Sequence, residues 1–164
     1  MKTHFNWTKG IFSNTCNIYS NQVLIGYLKD KAFSQTTTGI IHENPYTFRT
    51  RGILKQKTEI VDSAKNEVIG EIIYNNWMTK AVIYVNGKTI HWKYDNIWNT
   101  KWSLYDSEGI IMNFSGSSTK GNIETNTDDL LLLLTGLSIT NYYRQTSIAV
   151  LVAVFIPIWI TVLK

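Results

Sequence analysis

The stretch that decides the fold is Asp129-LLLLLTGLSITNYY-Arg144, followed at once by 145-QTSIAVLVAVFIPIWITVL-163 and Lys164. Five consecutive leucines, Leu130 to Leu134, cover every face of a helix, so this helix needs burial on all sides. Asn126, Thr127 and Asp128 offer N-caps, and Asp128-Asp129 place negative charge where a helix dipole favours it. The front piece, Leu130 to Tyr143, is too short for the roughly 20 residues of a bilayer span and has the length of a buried core helix. Arg144 divides the block. Behind it, Gln145 to Leu163 holds 19 uncharged residues, enough to span a bilayer at about 1.5 Å per residue. Pro157 is tolerated in a membrane helix, and Trp159 sits where an interfacial anchor belongs.

The residues before this block are patterned as strands. Gln22 to Lys29, Tyr46 to Arg51, Thr58 to Val61, Val68 to Tyr74, Lys80 to Val85, Lys88 to Trp92, Trp102 to Tyr105 and Ile110 to Phe114 are short, rich in β-branched and aromatic residues, and separated by turn chemistry. Asn86-Gly87 is a type I′ hairpin signal. Asp106 to Gly109 and the polar run from Asp62 to Asn66 mark two more hairpins, and Asn44-Pro45 marks a turn. With weaker segments at His4–Thr8, Thr15–Tyr19, Ala32–Thr37, Ile40–His42 and Gly121–Thr125, the chain carries about a dozen short strands and no helix before residue 127. That pattern predicts an all-β barrel or sandwich.

Six Trp and nine Tyr suit half-buried strands, and 164 residues suffice for one domain with a real core. The net charge of +4 is too small and too scattered for a nucleic-acid binder, but it is compatible with an anionic surface. Cys16 is the only cysteine, so no intramolecular disulfide forms. The N-terminal residues lack the apolar core of a signal peptide, so the bulk of the chain is expected to stay in the cytoplasm.

Ile60-Val61-Asp62, Val68 to Ile72, Ala81 to Ile83 before Asn86-Gly87-Lys88, Trp102 to Asp106 before Gly109, and Leu130 to Leu137 together resemble the tubby C-terminal-like superfamily. That group includes tubby proteins, phospholipid scramblases and plant LURP-one-related proteins. The resemblance covers roughly residues 15 to 143. It implies a closed barrel of about twelve strands with a hydrophobic helix threaded through its middle. It transfers no site: the phosphoinositide-binding positions of tubby proteins have no counterpart here residue by residue. The calcium-binding-like segment of scramblases is reduced to Asp128-Asp129, which a helix start explains.

Catalytic candidates are weak. A lone Cys in a strand is usually a small buried hydrophobe rather than a nucleophile. His4, His42 and His91 have no metal-ligand spacing, and no cofactor is expected. Gly116-SSTK-Gly121 lacks the Lys-Ser/Thr pair after its second Gly and opens no helix, so it reads as an inter-strand loop rather than a phosphate loop. Asp62, Asp106 and Glu108 fall in turns, and turn chemistry accounts for the aspartates. The one charge cluster is Arg49, Arg51, Lys55 and Lys57. It presents either an anionic-lipid patch, worth about 1 kcal/mol per basic residue at such a surface, or a solvated outer face.

These observations combine into one expectation: a mainly β chain. Residues 1–144 form a barrel of about twelve strands around a core helix near 129–143, and 145–164 form a C-terminal transmembrane helix. The expected role is a non-enzymatic, membrane-associated binding or scaffold module, single-pass, with its barrel in the cytoplasm and lipids as its partner. The competing expectations are an enzyme with a site invisible in sequence, and a soluble structural protein whose last helix packs on a partner.

Overall fold

The computed structural model describes residues 2–31, 35–52 and 57–162, the last six by backbone only. Twelve antiparallel strands are followed by one helix. The strands are β1 (Thr3–Lys9), β2 (Thr15–Ser20), β3 (Val23–Asp30), β4 (Thr36–Ile41), β5 (Asn44–Arg51), β6 (Lys57–Asp62), β7 (Glu67–Tyr74), β8 (Lys80–Val85), β9 (Lys88–Tyr94), β10 (Lys101–Asp106), β11 (Gly109–Gly116) and β12 (Lys120–Thr125); α1 is Leu131–Val162. Each strand pairs with its neighbours in sequence, and β1 closes on β12 from Thr3↔Thr125 to Thr8↔Lys120. Closure removes both sheet edges. Bulges at Ile18/Tyr19, Ile60/Val61 and Leu104/Tyr105 recur every fourth strand and supply the extra bend that closing the sheet requires.

Alternation fills the interior. Phe5 and Trp7, Cys16 and Ile18, Ile72 and Tyr74, Ile90 and Trp92, and Trp102 and Leu104 point inward, with outward-facing neighbours between most of them. They pack on the first turns of α1, whose residues 131–140 are all buried. A helix apolar on every face has a partner on every face only inside such a wall. Gly136 lets the wall come close: a Cβ there would lie 2.4 Å from Phe114 Cζ.

The structure revises several expectations. The turn before β5 lies at His42 and Glu43, with φ of 43° and 67°, and Asn44-Pro45 belong to the strand. Pro45 is accommodated where it pairs with Ile40 near the strand end. One strand, Thr36–Ile41, takes in the ends of both expected segments, Ala32–Thr37 and Ile40–His42, and residues 32–34 of the first lie outside the described residues. The helix starts at Leu131, so Asp128 and Asp129 precede its first turn. Asp129 N donates to Thr127 Oγ1, a local turn that ends the chain's run along the barrel. Nor does Arg144 break the helix. Core helix and tail are one 32-residue element, about 48 Å long at 1.5 Å per residue. What changes at Arg144 is burial: the side chains are interior up to Thr140 and exposed from Ile148 to Ile156. Among the described residues, no helix is long and apolar enough to cross a membrane.

Candidate functional site

The up-and-down order sorts the molecule into two ends. The chain enters the barrel interior at one end, beside the turns at residues 21–22, 42–43, 63–66, 86–87 and 107–108. The helix leaves at the other, among the loops that follow β1, β3, β5, β7, β9 and β11.

A polar collar fixes the helix at its exit. Asn141 Nδ2 donates to Asp30 Oδ2 at 2.6 Å, and Gln145 Nε2 donates to the same oxygen at 3.0 Å. Thr37 Oγ1 donates to Asp30 Oδ1 at 2.8 Å. Lys9 Nζ donates to Asn141 Oδ1 at 3.1 Å and stands 3.7 Å from Asp30. Opposite, Arg144 donates to Ser117 O at 3.2 Å, and its guanidinium lies over the Trp102 ring. Partial burial pulls the Arg144 pKa down from its ordinary value. Tyr142 stacks on Tyr74 at 4.0 Å, and Tyr143 OH donates to Lys80 O and to Asn75 Oδ1. Burial raises the hydroxyl pKa of both Tyr74 and Tyr143, so both stay protonated donors. Five of the helix's residues thus tie it to β1, β3, β7, β8 and the β11–β12 loop.

Two cavities open beside the collar. One of about 420 Å³ lies between the helix and the ends of β4, β5 and β6, walled by Thr37, Thr50, Thr58, Ser138 and Tyr142. Among the described residues Asp30 is the only charged group lining it, and the other described polar groups there are neutral. The other, of about 30 Å³, is lined by Cys16 together with Lys9, Trp7, Trp102 and Arg144. Burial pushes the Cys16 thiol up to about 12, which keeps it protonated near neutrality. No histidine lines that cavity among the described residues. Cys16 is therefore a protonated core thiol whose charged neighbours in that cavity are Lys9, Asp30 and Arg144. His91 stacks on Tyr105, and among the described residues no three His, Cys, Asp or Glu side chains are placed to hold a metal ion.

Arg49, Arg51 and Lys57 of the expected basic cluster sit on the outer wall close to the exit. Arg49 and Arg51 both reach Glu59 Oε2 at 3.0 Å, and Lys57 pairs with Glu71. Register explains this, since Arg49 faces Glu59 across β5–β6 and Glu59 faces Glu71 across β6–β7. Lys55 lies outside the described residues. A larger pattern escapes a nine-residue window. Lys9, Lys29, Lys31, Arg49, Arg51 and Lys57 all lie in the exit half of the barrel. So do Lys80, Lys93, Lys101, Lys120 and Arg144, which makes eleven bases against four acids (Asp30, Glu59, Glu71 and Asp95). The entry half reverses the sign, with Lys2, Lys65 and Lys88 against eight acids that include Glu43, Asp62, Glu67, Asp106, Glu108 and Glu124. The described barrel carries a formal charge of +7 at the end where the apolar helix emerges and −5 at the other. Strand direction is the signal that reveals this: bases cluster where odd-numbered strands end and even-numbered strands begin.

No protein-family model matches this chain, and no curated protein matches it at a significant level.

Proposed function

We propose that this chain is a non-enzymatic, membrane-associated binding or scaffold module that rests the basic end of its barrel on anionic lipid headgroups and is held there by its apolar tail. One observation carries the proposal. The helix emerges from the +7 end with Ile148, Val150, Leu151, Val152, Val154, Phe155 and Ile156 each about half exposed, on every face. A helix apolar all round and left uncovered is unstable in water and stable in lipid. Among the described residues no helix is long and apolar enough to cross a membrane. In sequence the apolar run continues through Leu163, and Gln145 to Leu163 would reach about 28 Å, close to the hydrocarbon thickness. The electrostatics point the same way, because an anionic leaflet attracts the basic end and repels the acidic one. The non-enzymatic part is supported by a protonated Cys16, an exit cavity whose described lining is neutral apart from Asp30, and bases already tied to Glu59 and Glu71. Placement of the barrel on the cytoplasmic side and membership of the tubby-like group belong to the same proposal. The first is supported by the anionic character of the cytoplasmic leaflet, the second by a twelve-strand barrel closed around a hydrophobic helix.

The test is fractionation. The full chain should pellet with membranes and need detergent for release. A chain ending at Ser147 keeps the collar and the Ser147–Met78 contact and should be soluble and folded. A full chain that stays in the supernatant without detergent removes the proposal.

A further inference from the structure

Two exit loops are built to one plan. Asn75-Asn-Trp-Met-Thr-Lys80 and Asn96-Ile-Trp-Asn-Thr-Lys101 share the pattern Asn-x-Trp-x-Thr-Lys, 21 residues apart. The hydrogen bonds within the two loops correspond, and Asn75 in addition meets Tyr143 OH of the helix. Asn75 Oδ1 accepts from Thr79 N and Lys80 N at 2.9 and 3.0 Å, and Asn96 Oδ1 accepts from Thr100 N and Lys101 N at 3.0 and 3.1 Å. Each Asn Nδ2 donates to its Thr Oγ1, at 3.1 and 2.7 Å. Met78 N donates to Asn75 O and Asn99 N to Asn96 O, both at 3.2 Å, and Met78 and Asn99 share φ near +55°. The clasp fixes the tip as a turn and projects the middle residue away from the barrel. That residue is a tryptophan in both loops, 84 % exposed at Trp77 and 77 % at Trp98. Ile97 stands beside Trp98, and the β1–β2 loop at the same end carries Ile11 and Phe12, both highly exposed. The entry end differs. Its turns are polar, and the exposed large hydrophobic residues near them (Val23, Leu24, Val68, Tyr84 and Ile110) lie on strands and not at loop tips.

An indole held rigidly in water by a purpose-built clasp, twice at one end, needs a partner that accepts an apolar body with a polar edge. The membrane interface is that environment. The choice of lipid over a protein surface rests on continuity: the same end carries the uncovered helix and the +7 charge. We propose that Trp77 and Trp98, supported by Ile97, Ile11 and Phe12, form an interfacial crown that sinks the exit loops into the headgroup layer of an anionic bilayer around the emerging helix. This rests on the membrane proposal above and adds to it a seated barrel, in place of one tethered at a distance.

The test uses the full chain reconstituted in phosphatidylcholine–phosphatidylserine vesicles, about 7:3, with lipids brominated either near the headgroup or deep in the acyl chain. Flotation is scored first. Wild type and the Trp77→Phe/Trp98→Phe variant should both float. Quenching by the shallow bromines should fall by about two-thirds in the variant, because two of the three candidate interfacial tryptophans are gone and Trp159 remains. The clasp variant Asn75→Ala/Asn96→Ala, checked for fold by circular dichroism, should shift quenching toward an aqueous iodide quencher. Chains that float while wild type and the double Phe variant quench alike with shallow bromines overturn the crown and leave the anchor standing. Chains that do not float overturn both.

Discussion

Replacing Gly136 by alanine sets helix propensity against packing, and the two predict opposite signs. Alanine is preferred to glycine in a helix interior by about 0.8–1 kcal/mol, so propensity alone predicts a more stable protein. The new methyl would meet Phe114 Cζ at 2.4 Å, Cε2 at 2.9 Å and Cε1 at 3.2 Å. Phe114 has little room to retreat. It is 2 % exposed and stacks on Trp102 at 5.5 Å, which in turn abuts Trp7 and lies under Arg144. Forcing a methyl into such a site costs about 1–3 kcal/mol, and this approach is among the closest in the barrel, so the upper part of that range applies. The expected net is a loss of about 1–2 kcal/mol, lowering the melting temperature by roughly 2–4 °C per kcal/mol for a chain of this size.

The assay is urea unfolding of the chain ending at Ser147, followed by circular dichroism and tryptophan emission. Gly136→Ala should lower the midpoint with an unchanged slope. Phe114→Leu, which trims the ring edge, should cost stability alone and recover part of the loss when combined with Gly136→Ala. The two positions are in contact, so their effects should not add. A more stable Gly136→Ala protein, or strict additivity in the pair, would refute the close apposition of α1 and β11.

Three further outcomes follow from the collar, the buried thiol and the charge poles. Asp30→Asn removes the counter-charge of Lys9 and one acceptor shared by Asn141 and Gln145; it should cost about 1–3 kcal/mol in urea unfolding, and Asn141→Ala in the same background should add little. Cys16 has a folded pKa of about 12 against 9.0 when free, so the unfolded chain loses its proton first. Stability should be intact below pH 9 and decline from pH 9 toward 12, with Cys16→Ala showing a shallower decline and native Cys16 resisting iodoacetamide until the chain is unfolded. The chain ending at Ser147 should bind anionic vesicles at low salt and release at about 0.5 M, where the screening length falls to a few ångström. Lys80→Glu/Lys120→Glu, which lie outside the Arg49–Glu59–Arg51 cluster and reverse two charges, should weaken that binding more than Arg49→Ala does, which removes one charge and leaves Glu59 paired with Arg51.

What could be read from residues alone was local. The Asn86-Gly87 hairpin, with φ of 50° and 74°, and Gly109 with φ of 132° are turn chemistry, which needs no partner from elsewhere in the chain. The interior helix was also legible, because five leucines in a row exhaust every exposed face. Closure was expected only through the family resemblance, since the β1–β12 pairing joins segments more than a hundred residues apart and leaves no mark within either. The Asn44-Pro45 signal misplaced a turn because His42 and Glu43, neither a strong turn former, take positive φ when the strand pairing demands it. Arg144 looked like a boundary from its charge. In the fold it is a mid-helix residue whose head reaches Ser117 O and the Trp102 face, so the charge is accommodated without breaking the helix.

The basic residues show why the site was harder to read than the fold. Arg49, Arg51, Lys55 and Lys57 drew attention because they are neighbours in sequence with no acid between them. Strand pairing then brings Glu59 and Glu71 onto the same outer face, and the apparent surplus nearly disappears. Pairs such as Lys80 and Lys120 looked unrelated. Because the chain reverses at every turn, the ends of odd strands and the starts of even ones meet at one pole, and these scattered bases accumulate there. The same reversal gathers Trp77, Trp98 and Phe12 from three loops to the rim from which the apolar helix departs. In an up-and-down barrel, function carried by one end is therefore encoded at intervals of two strands, about twenty residues. The spacing of Asn75-x-Trp and Asn96-x-Trp has that interval, and it could have been found in the sequence by searching at the repeat length that the hairpin signals imply.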